Sequence, residues 1–525
     1  MIPVVSPSEV RLALLVRREI ALIDLREEDP FAKAHPLFAA CLPLSRLEIE
    51  VLDRIPRKDT PIVLYDDGEG LVAPAADRLR KLGYNHLRAL EGGLDGWRQA
   101  GFELFQDVNS YCKAFGELVD TRRETPSVAA EDLQALIDAK ADLVVLDARR
   151  FDEFQTMSIP TGVSVPGAEL VLRAPQLAPD PKTTIIVNCA GRTRSIIGAQ
   201  SLINAGLPNP VAALRNGAIG WTLAGQSLDH GQSRRFPSEP PRGLHEARAR
   251  ARTVAERAGV RRLSPDDLRS LTKGCPDRTH YRFDVRTPEE YAQGHIPGFR
   301  SAPGGQLVQE TDMFAPVRGA RIILADDLGP RADMTGSWLA QMGWEVFVLE
   351  DGFAQTLETG PWRPILPAVT GTDDVTALEL ARELKRGEAV VIDLAPSPQY
   401  RKGHVPGAWF AIRARLAEAL ANLPEDTPVV LTSTDGTLAK LAAPEVEVLS
   451  DHPVRVLAGG TSAWRDAGLD LETGFTHPAS PPDDVYRRPY EGADHAAEAK
   501  QAYLDWEFGL VDQLARDGSH GFFVI

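Results

Sequence analysis

Four cysteines occur in the 525-residue chain, and one of them, Cys189, opens a loop of unusual composition: Cys189-Ala190-Gly191-Arg192-Thr193-Arg194-Ser195. The apolar run Ile185-Ile186-Val187-Asn188 before it reads as a strand. The run from Ser195 to Ala205, stopped by Gly206, reads as a helix with Ser195 as its N-cap. A loop between a strand end and a helix start can turn its backbone N–H groups toward one point, where the helix dipole also favours negative charge. Ala190, Gly191, Thr193 and Ser195 would supply that cradle around the sulfur. Such a setting is expected to lower the thiol pKa, and the thiolate is the nucleophilic form. The cradle would equally hold the anionic terminal sulfur of a persulfide. Arg192 and Arg194 add two charges that do not titrate near neutrality, in a fork suited to an oxyanion.

Residues upstream should steady this loop. Asp147 and Arg149 end the preceding apolar run, Val144-Val145-Leu146, and are expected to make buried structural contacts near it, with Glu153 placed to pair with Arg149. Trp221, in a Gly-rich turn, suits core packing, with a place at the pocket mouth as the alternative. Cys41, Cys112 and Cys275 lie outside any such loop and read as inert. The cysteines form no CxxC pair and no metal-like grouping with histidine, so no metal or organic cofactor is expected.

The elements carrying this loop recur. Apolar runs end in Asp24, Asp147, Asp284 and Asp393, and each is followed by a second run that stops before Asp66, Cys189, Asp326 or Ser433. The first three pairs are each 42 residues apart and the fourth is 40. Gly-rich turns with an aromatic follow at Trp97, Trp221, Phe353 and Trp464. Ser6, Ser264 and Thr376, each with an acid three residues on, read as capping boxes. Strands apolar on both faces, alternating with helices, imply four α/β units, each a parallel sheet flanked by helices. The expected division is 1–108, 109–230 (holding Cys189), a linker with a basic helix at 231–260, then 261–366, 367–475 and a tail at 476–525. The tail, from Asp494 to Arg516, has helical periodicity and ends in Phe522-Phe523-Val524-Ile525, so it should dock on the body or on a second subunit, which makes a homodimer plausible.

Composition limits the function. A net charge of −16 argues against a nucleic-acid or acidic-membrane binder. No stretch of about 20 apolar residues is present, so no membrane span is expected. Neither a secretory signal nor a disulfide pattern is legible, and a reduced cytoplasmic setting is expected.

The Asp-x-Arg strand ends, His295-Ile296-Pro297-Gly298, His404-Val405-Pro406-Gly407 and the Cys189 loop together resemble rhodanese-homology domains, repeated four times over nearly the whole chain. Long, four-domain bacterial members of that family are described as thiosulfate sulfurtransferases. The resemblance implies a sulfurtransferase acting by double displacement. Cys189 would take sulfur from a small anionic donor such as thiosulfate, Arg192 and Arg194 would hold the sulfite end, and the persulfide would pass to cyanide, a thiol or a protein thiol. One departure is that Met157-Ser158-Ile159-Pro160 stands where module 2 would carry its His. The sister loops carry Asp66-Asp67-Gly68-Glu69, Asp326-Asp327 and Ser433-Thr434-Asp435; they offer no thiol, and their acids would repel a dianion, so modules 1, 3 and 4 read as inactive. Two other readings stay open. One is a non-enzymatic sulfur carrier or sensor. The other is a Cys-dependent phosphatase or arsenate reductase, whose loop in the related enzymes is one residue longer.

Overall fold

The computed structural model describes residues 2–369, 371–421, 423, 427–489, 491 and 496–525. The signature Asp ends a strand in all four units: Ile20–Asp24, Leu143–Asp147, His280–Asp284 and Val390–Asp393. In module 2 the sheet runs Ser127–Val128, Val211–Leu214, Thr184–Asn188, Leu143–Asp147, Val163–Ser164, every pair parallel. Modules 3 and 4 repeat that order. Helices cover both faces, which is why the central strands are apolar throughout rather than alternating. Module 1 has the same sheet plus a strand from module 3, Val317–Arg318, antiparallel to Ile20–Asp24. Modules 1 and 3 therefore share a sheet, which their separation in sequence hides.

The three expected capping boxes are present at Ser6, Ser264 and Thr376, and a fourth forms at Thr287 with Glu290. The linker helix is Leu244–Arg257. It packs on the module 3 helix Pro330–Gln341 through its small residues Ala247, Ala251, Val254 and Ala255. Its arginines tie the neighbours together: Arg248 donates to the Leu328 carbonyl at 2.7 Å, Arg250 to the Ala205 carbonyl at 3.2 Å, and Arg252 pairs with Glu350. The basic helix is thus a strut between modules 2 and 3.

The expected start of the tail helix at Asp494 lies outside the described residues. Beyond it are two helices, Ala497–Phe508 and Leu510–Asp517, meeting at Gly509. Tyr503, Leu504, Leu510 and Leu514 are buried against this same chain. Phe522 packs on Phe38, Tyr111 and Phe115, and the Phe523 N–H bonds the Gln341 carbonyl at 3.0 Å. Much of the apolar tail thus docks on its own body, while Phe508 and Phe523 stay exposed.

Candidate active site

Asp147 and Asn188 are partners across the two central strands of module 2, and Asn188 Nδ2 donates to Asp147 Oδ2 at 2.9 Å. Arg149 folds back onto Asp147, with Nε to Oδ1 at 2.9 Å and Nη2 to Oδ2 at 2.7 Å, and also donates to the Met157 carbonyl at 2.7 Å. Both side chains are buried, so this fork fixes the strand end from which the loop departs. Arg26 with Asp24 and Arg286 with Asp284 repeat it. Module 4 has Ala395 in that place, and burial pushes Asp393 up to about 6.

Glu153 departs from expectation. Its carboxylate takes both Arg194 Nη groups, at 2.8 and 2.9 Å, rather than pairing with Arg149. Burial would raise Glu153, but the charge and hydrogen bonds of Arg194 prevail and hold it down at about 2.

Cys189 is buried, with Sγ donating to Ser195 Oγ at 3.5 Å, while the Ser195 hydroxyl donates to the Arg192 carbonyl at 2.7 Å. The helix runs Thr193–Asn204 with Arg192 as its N-cap, so Ser195 is not the cap but a first-turn residue facing the sulfur. The neighbouring helix Gly217–Leu223 holds the loop from outside: Ala218 N–H bonds the Cys189 carbonyl and Ile219 N–H the Ala190 carbonyl, both at 2.9 Å. The Ser195 N–H and hydroxyl face the sulfur from the helix start. The close approach of the helix Gly217–Leu223 needs Gly217, which has φ +53°; a Cβ there would lie 2.5 Å from the carbonyl oxygens of both Cys189 and Gly191. Thr193 is buried against Gly116 of the helix Ser110–Arg123.

The two loop arginines separate. Arg192 is not turned to the sulfur. It is buried against Glu117 at 2.7 and 2.9 Å, Asp120 at 2.9 Å and Asn216 at 3.1 Å, and lies over the Phe508 ring at 4.3 Å. Two carboxylates neutralise it, so its expected hold on a donor's sulfite end gives way to bracing the loop. Arg194, paired with Glu153, still acts on Cys189 and draws its thiol pKa down. The thiol itself departs from the expected lowering: burial pushes it up, against the pull of Arg194 and of the Ser195 hydroxyl and N–H, and Glu507 adds to the rise. Trp221 is fully buried and donates to the Ser227 carbonyl at 2.9 Å, so it packs the core. Cys41 and Cys112 are buried with pKa values raised by desolvation, Cys112 to about 12; Cys189 shares that burial, and what sets it apart is its place between a strand end and a helix start.

In two sister loops a carboxylate takes the place of Cys189 and accepts loop N–H bonds. Asp66 accepts the Leu71 N–H at 2.6 Å and the Gly68 N–H at 3.2 Å. Asp326 accepts N–H bonds from Leu328 at 3.1 Å and Arg331 at 2.9 Å. Each carboxylate stands where Cys189 stands and uses the loop N–H groups of its own module. In module 3, Arg331 matches Arg194 and Glu290 matches Glu153, but Arg331 is fully buried among Asp326, Asp327, Glu290 and Glu169 of module 2. That site is closed upon itself.

A polar cavity of about 430 Å³ lies beside Ala190 and Arg194. Arg149 and Glu153 line it from module 2, Gln309 and Glu310 from module 3, and Arg488 from the tail segment. Modules 2 and 3 and the tail segment therefore line this cavity together. Among the described residues no cluster of His, Cys, Asp and Glu could hold a metal ion.

Four parallel-sheet units flanked by helices, one of them with a cysteine between a strand end and a helix start, define the class of fold. The rhodanese-like domain matches residues 7–100, 129–224, 264–359 and 376–467, and the chain belongs to that family. It is 60% identical to the thiosulfate sulfurtransferase of Pseudomonas aeruginosa, whose crystal structure superposes with a TM-score of 0.98 over 100% of both chains. A 104-residue stretch, 19% of this chain, is 35% identical to an HTH-type transcriptional regulator of Mycobacterium tuberculosis and covers 46% of it; the chain thus spans about half the length of that relative. An 87-residue stretch, 17% of this chain, is 30% identical to the thiosulfate sulfurtransferase GlpE of Pseudomonas fluorescens and covers 80% of it.

Proposed function

We propose that this protein is a thiosulfate sulfurtransferase with one working site, in residues 109–230, and three modules that act as scaffold. The carrying observation is the sister-loop geometry: wherever an anionic side chain replaces the cysteine, the loop N–H groups bind it. A Cys189 thiolate or persulfide would meet the same donors, and ~2–4 kcal/mol of anion stabilisation is usual for such N–H groups. Full-length likeness to a thiosulfate sulfurtransferase supports the choice of donor.

The reaction balances without a cofactor. The Cys189 thiolate attacks the outer sulfur of thiosulfate; the new S–S bond forms as the bond to the sulfite sulfur breaks, and sulfite leaves with the electron pair. The persulfide then yields its terminal sulfur to cyanide or a thiolate, and Cys189 returns as thiolate. Arg194, held by Glu153, faces the donor at the mouth, and Arg192 stiffens the loop. The Ala190, Gly191, Thr193 and Ser195 backbone supplies the cradle, while Asp147 and Arg149 anchor it. A reduced cytoplasmic setting, which keeps the thiol free, fits this cycle. Cys189→Ser, incubated with thiosulfate and cyanide, should form no thiocyanate above the uncatalysed rate; full activity in that variant would remove Cys189 from the reaction.

A further inference from the structure

The helix Ala497–Phe508 lies beyond the last family match and belongs to none of the four repeats. It reaches the sulfur loop all the same. A Cβ built on Gly191 would lie 3.3 Å from Glu507 Oε2 and 3.3 Å from the Tyr503 ring. Glu507 is 1% exposed, and its Oε2 has no hydrogen-bond partner. Its other oxygen accepts the Tyr503 hydroxyl at 2.9 Å. The Phe508 ring beside it carries the Arg192 guanidinium. A buried carboxyl with an unpartnered oxygen is costly, and this one is set against the loop that holds the nucleophile.

We propose that Glu507 is a positioning residue of the Cys189 site, a carboxyl whose charge state decides how firmly the sulfur loop holds an anion. The proposal rests on the reading of Cys189 as the nucleophile. Neutral, Glu507 leaves the loop's field to Arg194 and the N–H groups; ionised, it places a second negative charge beside a thiolate, a persulfide or an incoming dianion. The groups acting on it or acted on by it are Glu117 and Lys113 from the helix Ser110–Arg123, Arg192 and Cys189 from the loop, and Tyr503 from its own helix. Burial first, then Glu117, push Glu507 up to about 8, against the pull of Lys113, Tyr503 and Arg192. The switch thus lies close to neutrality, and Glu507 in turn adds to the rise in the Cys189 pKa.

The test reads Cys189 directly. Iodoacetamide alkylation of the Cys189 peptide is followed by mass spectrometry in the full-length protein from about pH 6 to about pH 10, for wild type, Glu507→Gln and Tyr503→Phe. KM for thiosulfate is measured over the same range. Glu507→Gln should alkylate about 3- to 10-fold faster near pH 9, a shift of up to one unit in the thiol, and its KM should stay flat where that of wild type climbs above about pH 8. Tyr503→Phe removes a hydrogen bond that favours the ionised carboxyl, so the rise in KM should move to higher pH. Alkylation and KM profiles that coincide with wild type in Glu507→Gln would overturn the proposal, as would an unmoved profile in Tyr503→Phe if Glu507→Gln fails to fold. Alkylation needs no donor, so a shifted alkylation profile without thiosulfate turnover would support Glu507 and count against the choice of donor instead.

Discussion

Arg192 and Arg194 stand two residues apart in one loop, yet they end against different partners. Sequence made them equivalent, because charge and fork are the same in both; tertiary partners divide them, and those partners, Glu117 and Asp120, sit on a helix that the loop motif does not specify. Arg192→Ala should leave two buried or half-buried carboxylates without their counter-charge and cost about 3 kcal/mol of stability in urea unfolding. Arg194→Ala should cost about 1 kcal/mol of stability, because Glu153 loses its fork in a part-exposed pair, and lower kcat/KM for thiosulfate by about 100-fold, in the range for removal of one anion-stabilising donor. Glu507 gives a pH signature in stability as well. Its folded pKa, about 8, is raised above the ordinary 4.5, so the fold retains a proton that the unfolded chain releases between those values. Stability due to that group is present below about pH 4.5 and is lost as pH rises toward 8. Glu507→Gln cannot ionise, so its urea midpoint should gain on wild type across that window and then hold a constant lead; no gain would mean that the carboxyl is already satisfied.

The sulfur loop is held by two helices of different origin. The one that begins at Thr193 was legible from Cys189, the loop spacing and Gly206, because strand, turn and helix are contiguous. Its exact start was not: Ser195 is a good N-cap by type, but the chain turns earlier and the hydroxyl is spent on the Arg192 carbonyl and the sulfur. The second helix, Gly217–Leu223, recurs in sequence as a Gly-rich turn, but its function, pulling two loop carbonyls outward, emerges only from packing. Gly217→Ala should therefore disturb the cradle, since its Cβ would meet those carbonyls and its φ is positive. A loss of about 1–3 kcal/mol in unfolding, with persulfide formation impaired, is expected; unchanged persulfide formation would show that the cradle tolerates a shifted loop.

At the scale of the molecule, the repeat spacing disclosed four modules because each is a local α/β unit of nearly fixed length. It was silent on how they assemble. The strand that module 3 lends to module 1, the cavity lined by modules 2 and 3, and the tail helix at the Cys189 loop are all contacts between segments remote in sequence. In module 3 the loop acts as a clasp: Arg331 joins it to Glu169 of module 2. Asp326→Cys should consequently fail to create a second sulfur carrier, because Arg331 remains bound by Asp327, Glu290 and Glu169; a second sulfur gained by that variant would contradict the account of module 3. The most direct test of one working site in four modules is the intact mass of the wild-type protein after thiosulfate and gel filtration. The account predicts one added sulfur atom per chain, located at Cys189 by peptide mapping and removed by cyanide. No added sulfur, or sulfur on Cys41, Cys112 or Cys275, would contradict it.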